Sequence, residues 1–157
     1  MSEAIAAQLT VVRRAEIWDI SRITEMVLAD IDSGPYHELI KPSITQIEES
    51  LSYLLAQPTG LVLIAEEGEL ATGTIAAYGH NHPISGEYGV GLVFWWVRPE
   101  NRNGKGPGLP LLRALEHWAR INGAKWLQMV APTEEVAKLY EALGYKYVES
   151  AYQRRLN

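Results

Sequence analysis

Residues 97–108 read Val-Arg-Pro-Glu-Asn-Arg-Asn-Gly-Lys-Gly-Pro-Gly and run directly into an amphipathic stretch, Leu109 to Asn122. An apolar, aromatic segment, Leu92 to Val97, leads in. A strand, a glycine-rich turn and a helix in that order present backbone N–H groups and the positive end of a helix dipole to whatever occupies the turn. The ligand suited to that place is an anion, such as phosphate. Gly104, Lys105, Gly106 and Gly108 would supply amides and Lys105 a charge, whereas Pro107 has no N–H to give. This is not a nucleoside-triphosphate loop, because no Ser or Thr follows Lys105. Nor is it a dinucleotide fingerprint, which opens a first strand–helix–strand unit. His80 and His82 flank Asn81 as half a metal site with no third ligand nearby, so no metal is expected.

The elements around the turn follow from periodicity. Leu9 to Arg14 reads as a strand. Ile17, Ile20, Ile23, Val27 and Ile31 recur at helical spacing and predict a helix that stops at Ser33-Gly34-Pro35. Ser43 with Gln46 three positions on is a capping-box pattern, opening a second helix that ends before Pro58. Leu61 to Glu66 and Leu70 to Tyr78 predict a hairpin turning at Glu67-Gly68-Glu69. A loop spans Gly79 to Gly86, and Glu87 to Val97 is a central strand whose apolar run implies burial on both faces. Gly89 and Gly91 followed by Trp95 and Trp96 hint at a bulge or a ligand's close approach. After the third helix come a strand over Lys125 to Ala131, a fourth helix with Thr133 as N-cap, and a final strand pair over Tyr145 to Glu149 and Tyr152 to Leu156. The first eight residues read as a short frayed arm.

At 157 residues, with 47% hydrophobic and 21% charged side chains, residues 1–157 form one globular domain by expectation. The absence of cysteine excludes disulfides, thiolate metal sites and a cysteine nucleophile. A net charge of -5 argues against a main role in nucleic-acid binding. No apolar run reaches the roughly 18–20 residues of a membrane span. Met1 to Ile5 lacks a basic, then apolar, leader, which fits a cytoplasmic protein.

The turn, the leucine-rich segment Leu111 to Glu116, the strand Trp126 to Val130 and the block Ala137 to Tyr145 stand in the order and near the spacing of the GNAT superfamily of acetyl-CoA-dependent N-acetyltransferases, which the chain resembles. The fold class this implies is α/β, a GNAT-like mixed, mostly antiparallel central sheet with helices on both faces, in the order βααβββαβαβ with an optional last strand. The family's phosphate turn has the form Gln/Arg-x-x-Gly-x-Gly/Ala. Asn103 stands at its first position here, and Arg102 lies one residue early.

The resemblance implies that acetyl-CoA is the co-substrate. The amides of Gly104, Lys105, Gly106 and Gly108 and the side chain of Asn103 would take its pyrophosphate. The pantetheine arm would pair with the strand at Trp96 and Val97, where two parallel strands splay apart. Thr133 stands where many members carry an asparagine that touches that arm. The acetyl group would pass directly to an amine, which must lose a proton while the departing thiolate gains one. Tyr140 matches the tyrosine that serves many members as general acid. A strand glutamate found in some members is replaced by Gly91. Glu87, His80 and His82 are the candidate bases, with Glu87 preferred because it leads into the central strand.

The acceptor, a small molecule or peptide with a primary amine, would be read by the loops Ser33 to Pro42 and Gly79 to Gly86, with Tyr36, His37 and Glu38 among the polar and aromatic residues there. Members often pair through C-terminal strands, so a homodimer is compatible with the resemblance. A non-catalytic module that binds or senses acyl-CoA is the alternative, prompted by Gly91 and the altered turn.

Overall fold

The computed structural model describes residues 9–102 and 104–157; the N-terminal arm and Asn103 lie outside them. Its centre is a sheet in the order β1-β2-β3-β4-β5, with β1 Thr10–Arg14, β2 Gly60–Glu67, β3 Leu70–Asn81, β4 Tyr88–Val97 and β5 Leu127–Gln128. The first four strands are antiparallel neighbours, and β5 lies parallel to β4. The hairpin β2–β3 turns at Gly68, whose φ of 61° a side chain would resist. The helices are α1 Ile20–Ser33, α2 Ile44–Ala56, α3 Gly108–Ile121 and α4 Glu134–Ala142.

Strand alternation splits the core in two. Val62, Ile64, Ala76 and Trp96 face α1 and α2, where Ile23, Met26, Leu51 and Leu54 meet them. Leu61, Leu63, Ile75, Val90 and Val97 face α3 and its Leu111, Leu115 and Ala119. Trp95 and Trp96 therefore look to opposite faces of β4, as their adjacency requires. The predicted caps form: Ser43 accepts from the Gln46 amide and Thr133 from the Val136 amide, both at 3.3 Å.

An ion-pair network ties β1 and β2 to the start of α1. The Asp19 carboxylate, fully buried, takes both Nη atoms of Arg13 at 2.8 and 2.9 Å and Nη2 of Arg22 at 2.7 Å. Glu66 bonds the same two arginines. Hydrogen bonds from Arg13, then Arg22, hold the Asp19 carboxyl far below the ordinary carboxylate range against the opposing effect of burial.

The C-terminal quarter departs from expectation. The strand predicted over Lys125 to Ala131 narrows to Leu127–Gln128, and residues 145–156 form no strand. Alternation tells which side of a strand is apolar, but a strand also needs a free edge to pair with. β5 meets β4 at only two positions, too short a ladder to carry another strand. Tyr147, Val148, Tyr152 and Leu156 are exposed, and Arg155 instead reaches the Leu39 carbonyl at 3.2 Å. A further correction matters for the site. β3 continues to Asn81, so His80 is a strand residue rather than a loop residue.

Candidate active site

The site is organised by the parting of β4 from β5. The two strands pair at Val90 with Leu127 and at Gly91 with Gln128, and then separate. Just past that point the β3–β4 register jumps from Ala77 opposite Leu92 to Ala76 opposite Phe94, so Val93 is an extra residue that bends β4. The predicted bulge is thus present, two residues beyond Gly91. Past it, the Arg98 amide donates to the Thr72 carbonyl of β3 at 2.9 Å. Successive strand amides point to opposite sides. The Val97 amide therefore faces the opened gap, as does its carbonyl.

Beyond Val97 the chain makes a short 3-10 turn, Pro99–Asn101, and enters the glycine turn. Gly104 has a φ of 77°. A β-carbon on Gly106 would run into the Asn101 carbonyl, so that close approach requires glycine. Pro107 precedes the first turn of α3, and no side chain caps that helix. As at any helix start, the first amides of α3 have no partner within the helix itself. Gly104, Lys105, Gly106 and Gly108 are thereby gathered at one helix N-terminus. Asn103 lies outside the described residues.

Arg102 does not extend into this turn. Its Nε donates to the Val97 carbonyl at 2.7 Å, and its guanidinium carbon sits 5.7 Å from the centre of the Trp96 ring. It faces Asp30 of α1, whose carboxyl is raised by burial and lowered in part by Arg102. Sequence reading noted Arg102 only as misplaced and passed over Asp30. Neither lies at a position whose spacing marks it.

Tyr140 is the buried residue of α4. Its hydroxyl donates to the Val130 carbonyl at 3.1 Å, and its ring stacks on Trp95 with 6.0 Å between centres. Burial, then the neighbouring Tyr145, pushes its hydroxyl well above the ordinary tyrosine range, so it holds its proton at neutral pH. Trp95, on the α3 face, packs below Gly108, and its buried indole N–H has no partner among the described residues. The Trp96 indole N–H, on the other face, has none either. Buried donors of this kind are ordinarily met by water or a ligand. Thr133 lies at the exposed start of the same helix, its hydroxyl engaged as the cap.

The three candidate bases separate clearly. Glu87 is exposed on the loop before β4. His82 uses Nδ1 to accept from the Ile84 and Ser85 amides at 3.2 and 3.4 Å, which shapes the loop. His80 is half-buried on β3, and its Nδ1 is buried without a partner among the described residues. Among the described residues no group of three His, Asp or Glu could hold a metal ion, and no helix is long and apolar enough to cross a membrane.

Comparison with known proteins agrees with this geometry. Over residues 25–145 the chain matches the model of the acetyltransferase (GNAT) family. Comparison with curated protein sequences finds no match. Among solved structures it is similar to a predicted acetyltransferase with acetyl-CoA from Clostridium acetobutylicum, at 19% identity over 94% of this chain and 97% of that one, with a TM-score of 0.77. The ribosomal-protein-alanine N-acetyltransferase of Brucella melitensis biovar Abortus 2308 is similar at 20% identity, over 95% and 99% of the two chains, with a TM-score of 0.75. The aminoglycoside N-acetyltransferase AAC(6')-Iy in complex with CoA is similar at 16% identity, over 97% of each chain, with a TM-score of 0.77. With the family matched over most of its length and the fold shared from end to end, this chain belongs to the GNAT family of acetyl-CoA-dependent N-acetyltransferases.

Proposed function

We propose that this protein transfers the acetyl group of acetyl-CoA directly to a primary amine of a small molecule or peptide. The observation that carries the reading is the gap that opens between β4 and β5 immediately past Gly91 and Gln128. An extended ligand laid in that gap meets the amide and carbonyl of Val97, much as an added strand would. Its anionic end would then reach the start of α3, where Gly104, Lys105, Gly106 and Gly108 would supply amides and Lys105 a charge. The donor set fits a pyrophosphate. The side chain of Trp96 backs the strand, and by resemblance to the family Asn103 would contact the pyrophosphate and Thr133 the pantetheine arm.

Within this site Tyr140 donates the proton needed by the departing thiolate. Burial raises its pKa, so the hydroxyl is protonated at neutral pH and can donate to the thiolate as it departs. The Val97 amide, which faces the gap, would polarise the acetyl carbonyl. Glu87 would reach the amine only through water from its exposed loop. The similar structures carry names for very different acceptors, an alanine of a ribosomal protein and an aminoglycoside. Such names leave the acceptor of this chain to its own loops.

The test is release of free thiol from acetyl-CoA across a broad panel of primary amines. Amine-dependent release supports the reading. Tight coenzyme binding with no release for any amine favours a non-catalytic acyl-CoA-binding module. Arg102 lying on the Val97 carbonyl, where a ligand would pair, is the observation on that side.

A further inference from the structure

On the α1 and α2 face of the sheet, at the mouth of the gap, four rings meet. Tyr78 and His80 follow Ala76 at two-residue steps and so share its face. Their rings stack with 5.1 Å between centres and 28° between planes. Trp126, just before β5, meets His80 edge-on at 5.1 Å and His82 edge-on at 6.1 Å. Opposite Tyr78 and His80 on β4 stand Gly91 and Gly89. The two glycines do different things. Trp126 lies flat over Gly89, so that any β-carbon there would strike the indole. Above Gly91 a β-carbon would find His80 Cε1 at 3.6 Å and Tyr78 Cε1 at 3.8 Å, an ordinary contact distance. Gly91 therefore leaves a niche of about one methyl group beneath Tyr78 and His80, and it lies at the last β4–β5 pair before the gap opens.

Among the described residues His80 Nδ1 is buried without a hydrogen-bond partner. Such a group costs about 1–3 kcal/mol unless something pairs with it. An amine N–H is a fitting partner. Resting on the acetyl transfer proposed above, we infer that His80 is the base that takes the amine's proton, and that the Tyr78–His80–Trp126 rings select an acceptor whose single primary amine is carried close to a flat aromatic group. The wall offers the faces and edges of rings, which suit a flat amine. A cationic amine approaching it meets ring faces.

The two proton carriers then stand on opposite faces of the sheet. Tyr140 stacks on Trp95, which belongs to the α3 face. The niche belongs to the α1 and α2 face. The amine enters from one side and the thiol leaves on the other, through the single gap between them. The amine sheds its extra proton to solvent, its neutral nitrogen bonds the acetyl carbon, and it gives one N–H proton to His80 Nδ1. The carbon–sulfur bond breaks, and Tyr140 passes its hydroxyl proton to the sulfur. Solvent carries a proton from His80 back to Tyr140, leaving an amide and a free thiol.

The test compares His80→Gln with the parent protein, using phenethylamine and tryptamine against spermidine as acceptors. The inference expects kcat to fall roughly a hundredfold, with acetyl-CoA affinity and Tm nearly unchanged. It expects added imidazole to restore part of the activity of His80→Ala, an effect that a merely structural role would not produce. The parent should prefer the two ring-bearing amines in kcat/KM. A parental rate in His80→Gln, or loss confined to Glu87→Gln, overturns His80 as the base. Preference for spermidine overturns the aromatic wall as the selector. Absence of thiol release by the parent with every amine would count against the proposed transfer itself.

Discussion

The Tyr140 hydroxyl donates to the Val130 carbonyl at 3.1 Å, joining the buried side chain of α4 to the chain just past β5. That bond sets the hydroxyl at the edge of the gap and makes it part of the fold as well. Removing it separates the two roles. Tyr140→Phe keeps the stack on Trp95 and loses one hydrogen bond, at about 1 kcal/mol. Turnover should fall strongly while acetyl-CoA affinity holds. Tyr140→Ala should in addition cost about 3–5 kcal/mol of stability by emptying the space against Trp95. Calorimetry and steady-state kinetics on the two variants check both statements. An unchanged kcat in Tyr140→Phe removes the residue from the chemistry.

The glycine turn admits a similar separation. Gly106→Ala places a β-carbon against the Asn101 carbonyl, which can give way only by moving the turn. The turn lies outside both core clusters, so thermal stability should change by less than about 1 kcal/mol. The KM for acetyl-CoA should rise about tenfold or more, because the amides no longer converge. Titration calorimetry with acetyl-CoA gives the answer without an acceptor.

Gly89 and Gly91 should behave unequally although they stand two residues apart. Gly89→Ala drives a β-carbon into the Trp126 indole and should destabilise by about 1–3 kcal/mol. Gly91→Ala meets only ordinary contacts, so its Tm should stay close to the parent's. Thermal unfolding of the two variants decides the point.

The Asp19 network predicts a specific acid sensitivity. Its folded pKa is depressed by Arg13 and Arg22, so its stabilisation is fully present above the unfolded value of about 4 and is lost as the pH falls toward the depressed folded value. Glu66 is shifted in the same direction by the same arginines. Unfolding free energy measured by urea should fall steeply below about pH 4 in the parent protein and less steeply in Asp19→Asn. At neutral pH that variant should be weaker by about 3 kcal/mol, near the low end for breaking a buried pair. The reason is that the arginines remain 33% and 34% exposed and partly solvated.

Much of this molecule is legible in its sequence because its signals are local. The helices follow from apolar spacing, and the Ser43 and Thr133 caps from side chains that reach amides three residues on. The bulge near Gly91 follows from paired small and aromatic residues on one strand. What escaped depends on partners distant in sequence. Whether residues 145–156 form strands depends on the length of β5, and their own alternation carries no trace of it. His80 looked like a loop residue because Gly79 reads as a break. In the fold, Gly79 stays in the strand because Tyr88 packs over it, leaving no room for a side chain. The Arg102 bond to Val97 is a matter of turn geometry that no spacing rule encodes.

The central claim is direct transfer of an acetyl group to an amine across the β4–β5 gap. It is tested most directly by mass spectrometry of a single-acceptor reaction, with free coenzyme A measured alongside. The expected result is one N-acetylated amine for each coenzyme A released, with both products falling together in Tyr140→Phe. Coenzyme A released without acetylated amine, or equal yields from the parent and Tyr140→Phe, would contradict it.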